Sequence, residues 1–304
     1  MMEAISIADK GPFEQCRDQL YRGLGSVNHI SDLCFANLLT WSDSLQTRRV
    51  FRDGFCCIAL EFHGQWQHYA PIGQPDAYEA LLERAFPGDD VELIMVPEAL
   101  LPTLERLQNY RVSYSHDVAY SDYIYENDAF LHLLDNPSRR YDYRHFLRHR
   151  SPSFHIITES NKADCLHIMD KHWCQRHDCG ACHFGCEKKA LHKALTHFNA
   201  LGLSGALVYA GHEPLAFVIA KHLNPGLIAY HFMKTDSSVR GLSYFLLHSF
   251  AHAAHKDVQH INFSEDMGRE GLRYFKQHLA PYSQVHKYNV MLIRHPAMSL
   301  CGAP

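Results

Sequence analysis

Apolar and polar residues follow a regular pattern in the second half of the chain, and this pattern predicts a mixed α/β unit. Short apolar runs are separated by the turn signals Gly211–Pro214 and Asn224–Gly226, which are typical of an antiparallel meander. Helical spacing and further apolar runs alternate after the meander. The predicted elements are strands at 153–158, 204–210, 215–222, 227–234, 258–263 and 285–293, and helices at 162–176, 187–201, 241–256 and 269–278.

The first half mixes strand and helix signals in a similar way. A loop signal, Asn136-Pro137-Ser138, separates it from a predicted helix over 139–150. We therefore predict two domains, 1–138 and 139–304, the second carrying the active site. The elements predicted in the first half are strands at 49–51, 54–62, 66–71 and 91–96, an extended stretch over 110–125, and helices at 12–23, 76–86 and 97–107.

Length and composition agree with two globular domains. A chain of 304 residues is too long for one ordinary core, and its hydrophobic content of 46% is ample for packed interiors. The net charge of -4 argues against a general nucleic-acid coat, so an anionic partner must be bound by a local patch.

The sequence predicts a cytoplasmic protein with no transmembrane segment. Its first residues lack a basic-then-apolar export signal, and no run of 18 apolar residues occurs. The ten cysteines are scattered, which favours reduced thiols.

Arginines recur every fourth residue at Arg140, Arg144 and Arg148, which places them on one helix face. Such a face binds phosphates, including those of tRNA. An ordinary solvated face explains the same pattern.

A Cys/His-rich segment offers a metal site as a competing interpretation. Cys174, Cys179, Cys182 and Cys186 lie within thirteen residues and include one CxxC. A second CxxC is missing, so we favour ordinary thiols over structural zinc or redox chemistry.

Several segments resemble one family in the right order along the chain. They are 35–41, 231–236, 262–273 and Lys287–Tyr288. The chain is identified on them as a member of the DUF2156 family, similar to the C-terminal domain of phosphatidylglycerol lysyltransferases. The resemblance implies an α/β (α+β) fold of two tandem GNAT-like acyltransferase domains, with mixed, mainly antiparallel sheets flanked by helices.

The resemblance also implies an aminoacyl-tRNA donor, whereas GNAT enzymes in general use acyl-coenzyme A. Their signature loop, Arg/Gln-x-x-Gly-x-Gly/Ala, holds a pyrophosphate at a helix N-terminus. The corresponding residues here are Arg240, Gly241 and Ser243, and only the Arg-Gly pair survives. Either donor remains open, as does a simple helix start, and no cofactor is certain.

Acyl transfer needs a proton acceptor and groups that bind the substrate. We predict Glu265, Asp266 and His231 as catalytic, although Glu265 and Asp266 equally suit a helix cap. For Arg273 and Lys276 an ordinary exposed helix face or a salt bridge is the alternative. The predicted substrate-binding residues are Lys234, Asn262, Arg273, Lys276 and Lys287.

Two classes of function follow. The first is an acyl- or aminoacyltransferase acting on an amine or hydroxyl of a small molecule or lipid headgroup. The second is a non-catalytic ligand- or metal-binding protein on a degenerate GNAT fold. An open cleft reaching Glu265 and Lys234 favours the first, and a filled donor cleft at Arg240 favours the second.

Overall fold

The fold consists of two β-sheets flanked by helices. The computed structural model describes residues 2–22, 24–25, 28–52, 54–62, 64–73, 78–88, 90–174 and 185–295. Within these residues each sheet has seven strands, and most neighbouring strands are antiparallel. The predicted α/β class with mainly antiparallel sheets is confirmed.

The strands are numbered in chain order. They are β1 (Glu3–Ala4), β2 (Arg48–Arg52), β3 (Phe55–Phe62), β4 (Gln65–Tyr69), β5 (Val91–Pro97), β6 (Tyr110–His116), β7 (Asp122–Glu126), β8 (Pro152–Ile156), β9 (Ser204–Ala210), β10 (Glu213–Asn224), β11 (Leu227–Thr235), β12 (His260–Asn262), β13 (Ser283–Val285) and β14 (Lys287–Arg294).

The helices are α1 (Lys10–Tyr21), α2 (Phe35–Leu45), α3 (Tyr78–Ala85), α4 (Leu101–Leu104), α5 (Asn127–Leu131), α6 (Pro137–Arg150), α7 (Ala163–Met169), α8 (Glu187–Thr196), α9 (Phe198–Leu201), α10 (Leu242–Ala254) and α11 (Glu270–His278). A π-helical turn, Asp170–Cys174, follows α7 and replaces the end of the single helix predicted there.

The strand order explains how the two sheets are joined. The first sheet is β1-β2-β3-β4-β5-β14-β6 and the second is β13-β7-β12-β11-β10-β9-β8. Strand β7 thus leaves the first half to join the second sheet, and β14 returns from the second half to the first. The division into 1–138 and 139–304 stays a prediction.

Two sequence predictions about strands were wrong in detail. The extended stretch 110–125 divides into β6 and β7, which lie in different sheets, because a short turn at Val118–Tyr120 redirects the chain. The strand predicted at 285–293 likewise divides at His286, whose carbonyl oxygen accepts a hydrogen bond from the Glu98 amide. Each break moves its second strand to the other sheet.

Helices α2 and α8 pack against each other, and the core around them draws on both sheets. Phe13 and Phe35 of the first half share this core with Leu207, Phe217 and Ile219 of the second sheet. The other side of the second sheet is covered by α10 and α6. Among the described helices, none combines the length and apolarity needed to cross a bilayer.

Candidate active site

The parallel strands β11 and β12 separate at one end of the second sheet. They pair only from Leu227–His260 to Ala229–Asn262, after which β11 continues without β12 beside it. His231 is an extra residue on β11, since Tyr230 pairs with Ala220 and Phe232 with Ile219. Such a β-bulge redirects side chains and is common beside active sites.

A lysine from the first sheet lies at the centre of three carboxylates close to this opening. Lys287 on β14 is fully enclosed, and its Nζ lies 2.6 Å from Asp32 Oδ2, 2.9 Å from Asp122 Oδ1 and 3.0 Å from Glu265 Oε2. These carboxylates come from the loop before α2, from β7 and from the loop after β12. The ammonium group therefore joins three segments that are distant in sequence.

Asp122 is held by further hydrogen bonds within this cluster. Its Oδ2 accepts 2.8 Å and 2.7 Å hydrogen bonds from Asn262 Nδ2 and the Ser31 amide. Burial raises the pKa of Asp122, but Lys287 and Asn262 outweigh burial and hold the pKa below its ordinary value. Burial raises the pKa of Asp32 to about 6, because Lys287 offsets only part of the desolvation.

The loop after β12 is pinned by a second buried lysine. Lys276, only 3% exposed, donates hydrogen bonds to the carbonyl oxygens of Phe263, Ser264 and Glu265 at 2.5, 3.0 and 2.7 Å. Burial lowers the pKa of Lys276 to about 8. Ser264 and Met267 adopt left-handed φ values of 55° and 53°, a strained conformation that this clamp maintains. The exposed-face alternative for Lys276 was wrong, because its ammonium fills this loop.

Both carboxylate oxygens of Asp266 accept hydrogen bonds from neighbouring residues of the protein. It accepts hydrogen bonds from the Tyr123 hydroxyl at 2.7 Å, from Arg273 at 2.9 and 3.0 Å and from the Gly268 amide at 2.8 Å. Burial raises its pKa, yet Arg273 and Tyr123 hold that pKa below its ordinary value. The ion pair between Asp266 and Arg273 therefore ties the loop after β12 to helix α11.

Cys34, at the start of α2, lies beside the bulged histidine. Burial raises the pKa of the thiol, but the neighbouring His231 and Arg17 bring that pKa down to about 7. The Nε2 of His231 is enclosed and has no hydrogen-bond partner among the described residues. Together these groups form what we name the polar array: Asp32, Cys34, Asp122, His231, Asn262, Glu265 and Lys287.

Sequence reasoning missed three members of the array. Asp32 lies three residues before the family-like segment 35–41, and Asp122 is an acidic residue inside a tyrosine-rich extended stretch. These two positions are the features of the sequence that could have indicated Asp32 and Asp122 as site residues. Cys34 had no signal beyond its place at a helix start.

Lys234 lies farther along β11 and outside the array. Its Nζ is 2.7 Å from Glu187 Oε1 and 4.3 Å from the ring centre of Trp173. An ion pair and a cation–π contact therefore already stabilise this ammonium group.

The predicted donor loop is covered by α6. Gly241 caps α10 with a left-handed φ of 82°, and a β-carbon at this position would overlap the carbonyl oxygen of Asp142. Arg240 Nε lies 2.6 Å from Asp142 Oδ1, and Ser243 Oγ lies 3.3 Å from Thr235 Oγ1. A carboxylate and a carbonyl group therefore occupy the place where the signature loop of GNAT enzymes holds a pyrophosphate.

The three arginines Arg140, Arg144 and Arg148 are exposed on α6, as the spacing predicts. In the cysteine-rich segment, Cys174 ends the π-helical turn and Cys186 precedes α8, both half-buried. The predicted metal ligands Cys179 and Cys182 lie outside the described residues.

Asp32, Asp122 and Glu265 form a compact carboxylate set among the described residues, with oxygens within 4.8 Å of one another. Carboxylate oxygens suit a hard divalent cation. Here, however, each of the three carboxylates accepts a hydrogen bond from Lys287, whose positive charge occupies that position.

Comparisons with known proteins place this geometry in a family. The sequence matches the profile described as phosphatidylglycerol lysyltransferase, C-terminal, over residues 26–291. No curated protein sequence matches the chain. A conserved protein of unknown function from Bacteroides thetaiotaomicron VPI-5482 is 25% identical, covering 96% of this chain and 99% of its own, with a TM-score of 0.84.

Two further solved structures share the fold at lower identity. L-PGS from Bacillus licheniformis is 13% identical, with 87% of this chain and 88% of its own covered and a TM-score of 0.60. FemX is 11% identical, with 97% of both chains covered and a TM-score of 0.59. The predicted fold of two tandem GNAT-like domains and the predicted DUF2156 relationship are confirmed.

Proposed function

Because the chain belongs to the family described as phosphatidylglycerol lysyltransferase, C-terminal, we propose that it transfers an aminoacyl group from aminoacyl-tRNA to a hydroxyl or amine acceptor. The family description names a transfer to a lipid, so a lipid headgroup is the first acceptor to test.

The observation that carries the proposal is the polar array at the opening between β11 and β12. Glu265 is its most accessible carboxylate, with 22% of the side chain exposed against 13% for Asp32, and Lys287 and the clamped loop fix its position. A positioned carboxylate of this kind suits a general base.

The reaction balances with these groups alone. The acceptor oxygen or nitrogen attacks the ester carbonyl carbon of the donor while Glu265 takes the acceptor proton. The bond from that carbon to the ribose oxygen then breaks, and the proton returns to the departing ribose oxygen. Transfer therefore needs no oxidant or second co-reactant.

The choice of donor is supported by the contact between Gly241 and Asp142. Coenzyme A needs free backbone amides and positive charge for its pyrophosphate. Asp142 instead presents a carbonyl oxygen at Gly241 and a carboxylate at Arg240, and both repel phosphate. This arrangement favours a donor that does not bind there, as aminoacyl-tRNA need not.

The same contact also favours the second candidate, a non-catalytic binding protein that has lost its donor site. The two candidates differ in one measurable property. A binding protein leaves the donor ester intact, whereas a transferase moves its acyl group to the acceptor.

The test is a transfer assay with the full chain. Aminoacyl-tRNAs carrying labelled amino acids, and separately labelled acetyl-coenzyme A, are incubated with phosphatidylglycerol vesicles or with a pool of small amines. We expect label to appear on an acceptor only from aminoacyl-tRNA. Label from acetyl-coenzyme A would contradict the donor assignment, and no transfer from either donor would favour the binding protein.

A further inference from the structure

Helix α6 concentrates positive charge on a protein whose net charge is -4. Its fourteen residues include five arginines and a single acidic residue, Asp142. Arg140, Arg144 and Arg148 are exposed, and no ion pair joins them to a described residue. We name this surface the α6 face: Arg140, Tyr141, Arg144, Leu147 and Arg148.

The arginine spacing suits a regular row of phosphates. Residues four apart in an α-helix are separated by about 6 Å along the axis. This rise is comparable to the distance between successive phosphates of an extended nucleic-acid strand. Arg140, Arg144 and Arg148 can therefore each contact a different phosphate of one strand.

Flat side chains accompany the arginines. The Tyr141 ring, 54% exposed, has the Arg240 guanidinium 5.1 Å from its centre. On neighbouring α11, Tyr274 is 72% exposed and stacks on His278 with ring centres 5.9 Å apart. Arg139 of α6 donates a hydrogen bond to the His278 carbonyl, so α6 and α11 are in contact.

We propose that the α6 face, together with Tyr274, binds the unpaired 3′ end of tRNA, with arginines on the phosphates and tyrosines on the bases. Exposed rings within a basic groove are the usual platform for unpaired bases. The inference rests on the proposed function, because the donor ester lies at that 3′ end. Helix α6 packs against Gly241, at the start of α10, through Asp142 and Phe146, so the α6 face is the outward side of the helix that covers this site.

A membrane surface is the other polyanion to consider, and the apolar pattern of α6 disfavours it. A helix that inserts into a bilayer interface exposes a broad apolar face. On α6 the exposed apolar side chains are Tyr141 and Leu147, while Phe146 is buried against the protein. Arginines and single rings therefore dominate the exposed side.

The first experiment measures binding of deacylated tRNA at several salt concentrations. Arg140→Gln/Arg144→Gln/Arg148→Gln is compared with Arg106→Gln/Arg111→Gln/Lys256→Gln, which removes the same charge from exposed positions elsewhere. We expect the first variant to lose affinity on the order of 30-fold and its salt slope to fall by about 2, since each phosphate contact on a single strand contributes about 0.7. The control variant should bind within about threefold of wild type.

The second experiment tests the unpaired end itself. Tyr141→Ser/Tyr274→Ser should weaken binding of intact tRNA about tenfold with an unchanged salt slope, because stacking is lost and no charge is removed. Against tRNA lacking its unpaired 3′ nucleotides, this variant should match wild type. Equal losses on both tRNAs would overturn the assignment of the 3′ end to these rings.

Three outcomes show whether this inference or the proposed function fails. Wild-type tRNA affinity in the triple arginine variant, or arginine-dependent binding of phosphatidylglycerol vesicles without tRNA binding, would overturn the inference. Arginine-dependent tRNA binding by a chain that transfers nothing would instead support the inference and contradict the transferase activity.

Discussion

The ammonium group of Lys287 lies 2.9 Å from Oδ1 of Asp122, and neither side chain is exposed. Lys287 belongs to β14 of the first sheet and Asp122 to β7 of the second. These strands are the two that cross between the halves of the chain. One ion pair therefore links both sheets and also orients Glu265.

Replacing Lys287 by methionine should destabilise the fold strongly. Removing one partner of a buried ion pair typically costs about 3–5 kcal/mol, because the remaining charge is left uncompensated. The loss should appear as a lower free energy of unfolding in urea. Lys256→Met, at an exposed position, should change it by less than about 0.5 kcal/mol.

A double variant checks that the loss arises from the pair. Lys287→Met/Asp122→Asn should be less destabilised than the sum of its single variants, since neither charge is then left alone. Strict additivity, or a Lys287→Met variant as stable as Lys256→Met, would be inconsistent with the described cluster.

Gly241→Ala should be more destabilising than Gly211→Ala. Both glycines have left-handed φ values, 82° and 62°, so alanine costs about 1–2 kcal/mol at either position. At Gly241 the added methyl group also meets the Asp142 carbonyl, whereas nothing lies within 4 Å at Gly211. Thermal unfolding of the two variants measures the difference. Equal losses would mean that α6 does not cover this helix start.

Stability should fall between about pH 6.5 and 4 through His255. Burial lowers its pKa to about 4, and its neighbours are the Tyr230 hydroxyl at 2.7 Å and His222. Between pH 6.5 and 4 the unfolded chain binds a proton that the folded chain excludes, so acid favours unfolding. One such group contributes a slope of up to about 1.4 kcal/mol per pH unit.

The variant that isolates this contribution is His255→Gln. The difference in unfolding free energy between wild type and His255→Gln should fall as pH drops through this window, while His212→Gln, on an exposed turn, should follow wild type throughout. Parallel curves for wild type and His255→Gln would contradict the assigned pKa.

The local elements were largely predictable from the sequence, and their long-range pairing was not. The strand at 204–210 and the meander after it follow from apolar runs bounded by turns, which are local signals. Nothing local indicates that β14 crosses to the first sheet, because this pairing depends on residues about 200 positions away.

The residues of the candidate site also differ in this respect: some were indicated by local motifs, and others depend on contacts that are distant in sequence. Glu265, His231 and Lys287 were selected from their motifs, and all three belong to the polar array. Asp32 and Asp122 were missed because each acquires its role only from Lys287, 255 and 165 residues away in sequence. Lys276 was assigned to substrate on the same motif, whereas its carbonyl contacts depend on the left-handed turn at Ser264.

Single-turnover transfer from labelled aminoacyl-tRNA by Glu265→Gln tests whether Glu265 is the general base. Glu270→Gln, on the exposed start of α11, is the matched control. We predict that Glu265→Gln folds normally and transfers at least about 100-fold more slowly, as the loss of a general base requires. The control should stay within about twofold of wild type. A folded Glu265→Gln variant with the wild-type transfer rate would contradict the assignment of the polar array as the active site.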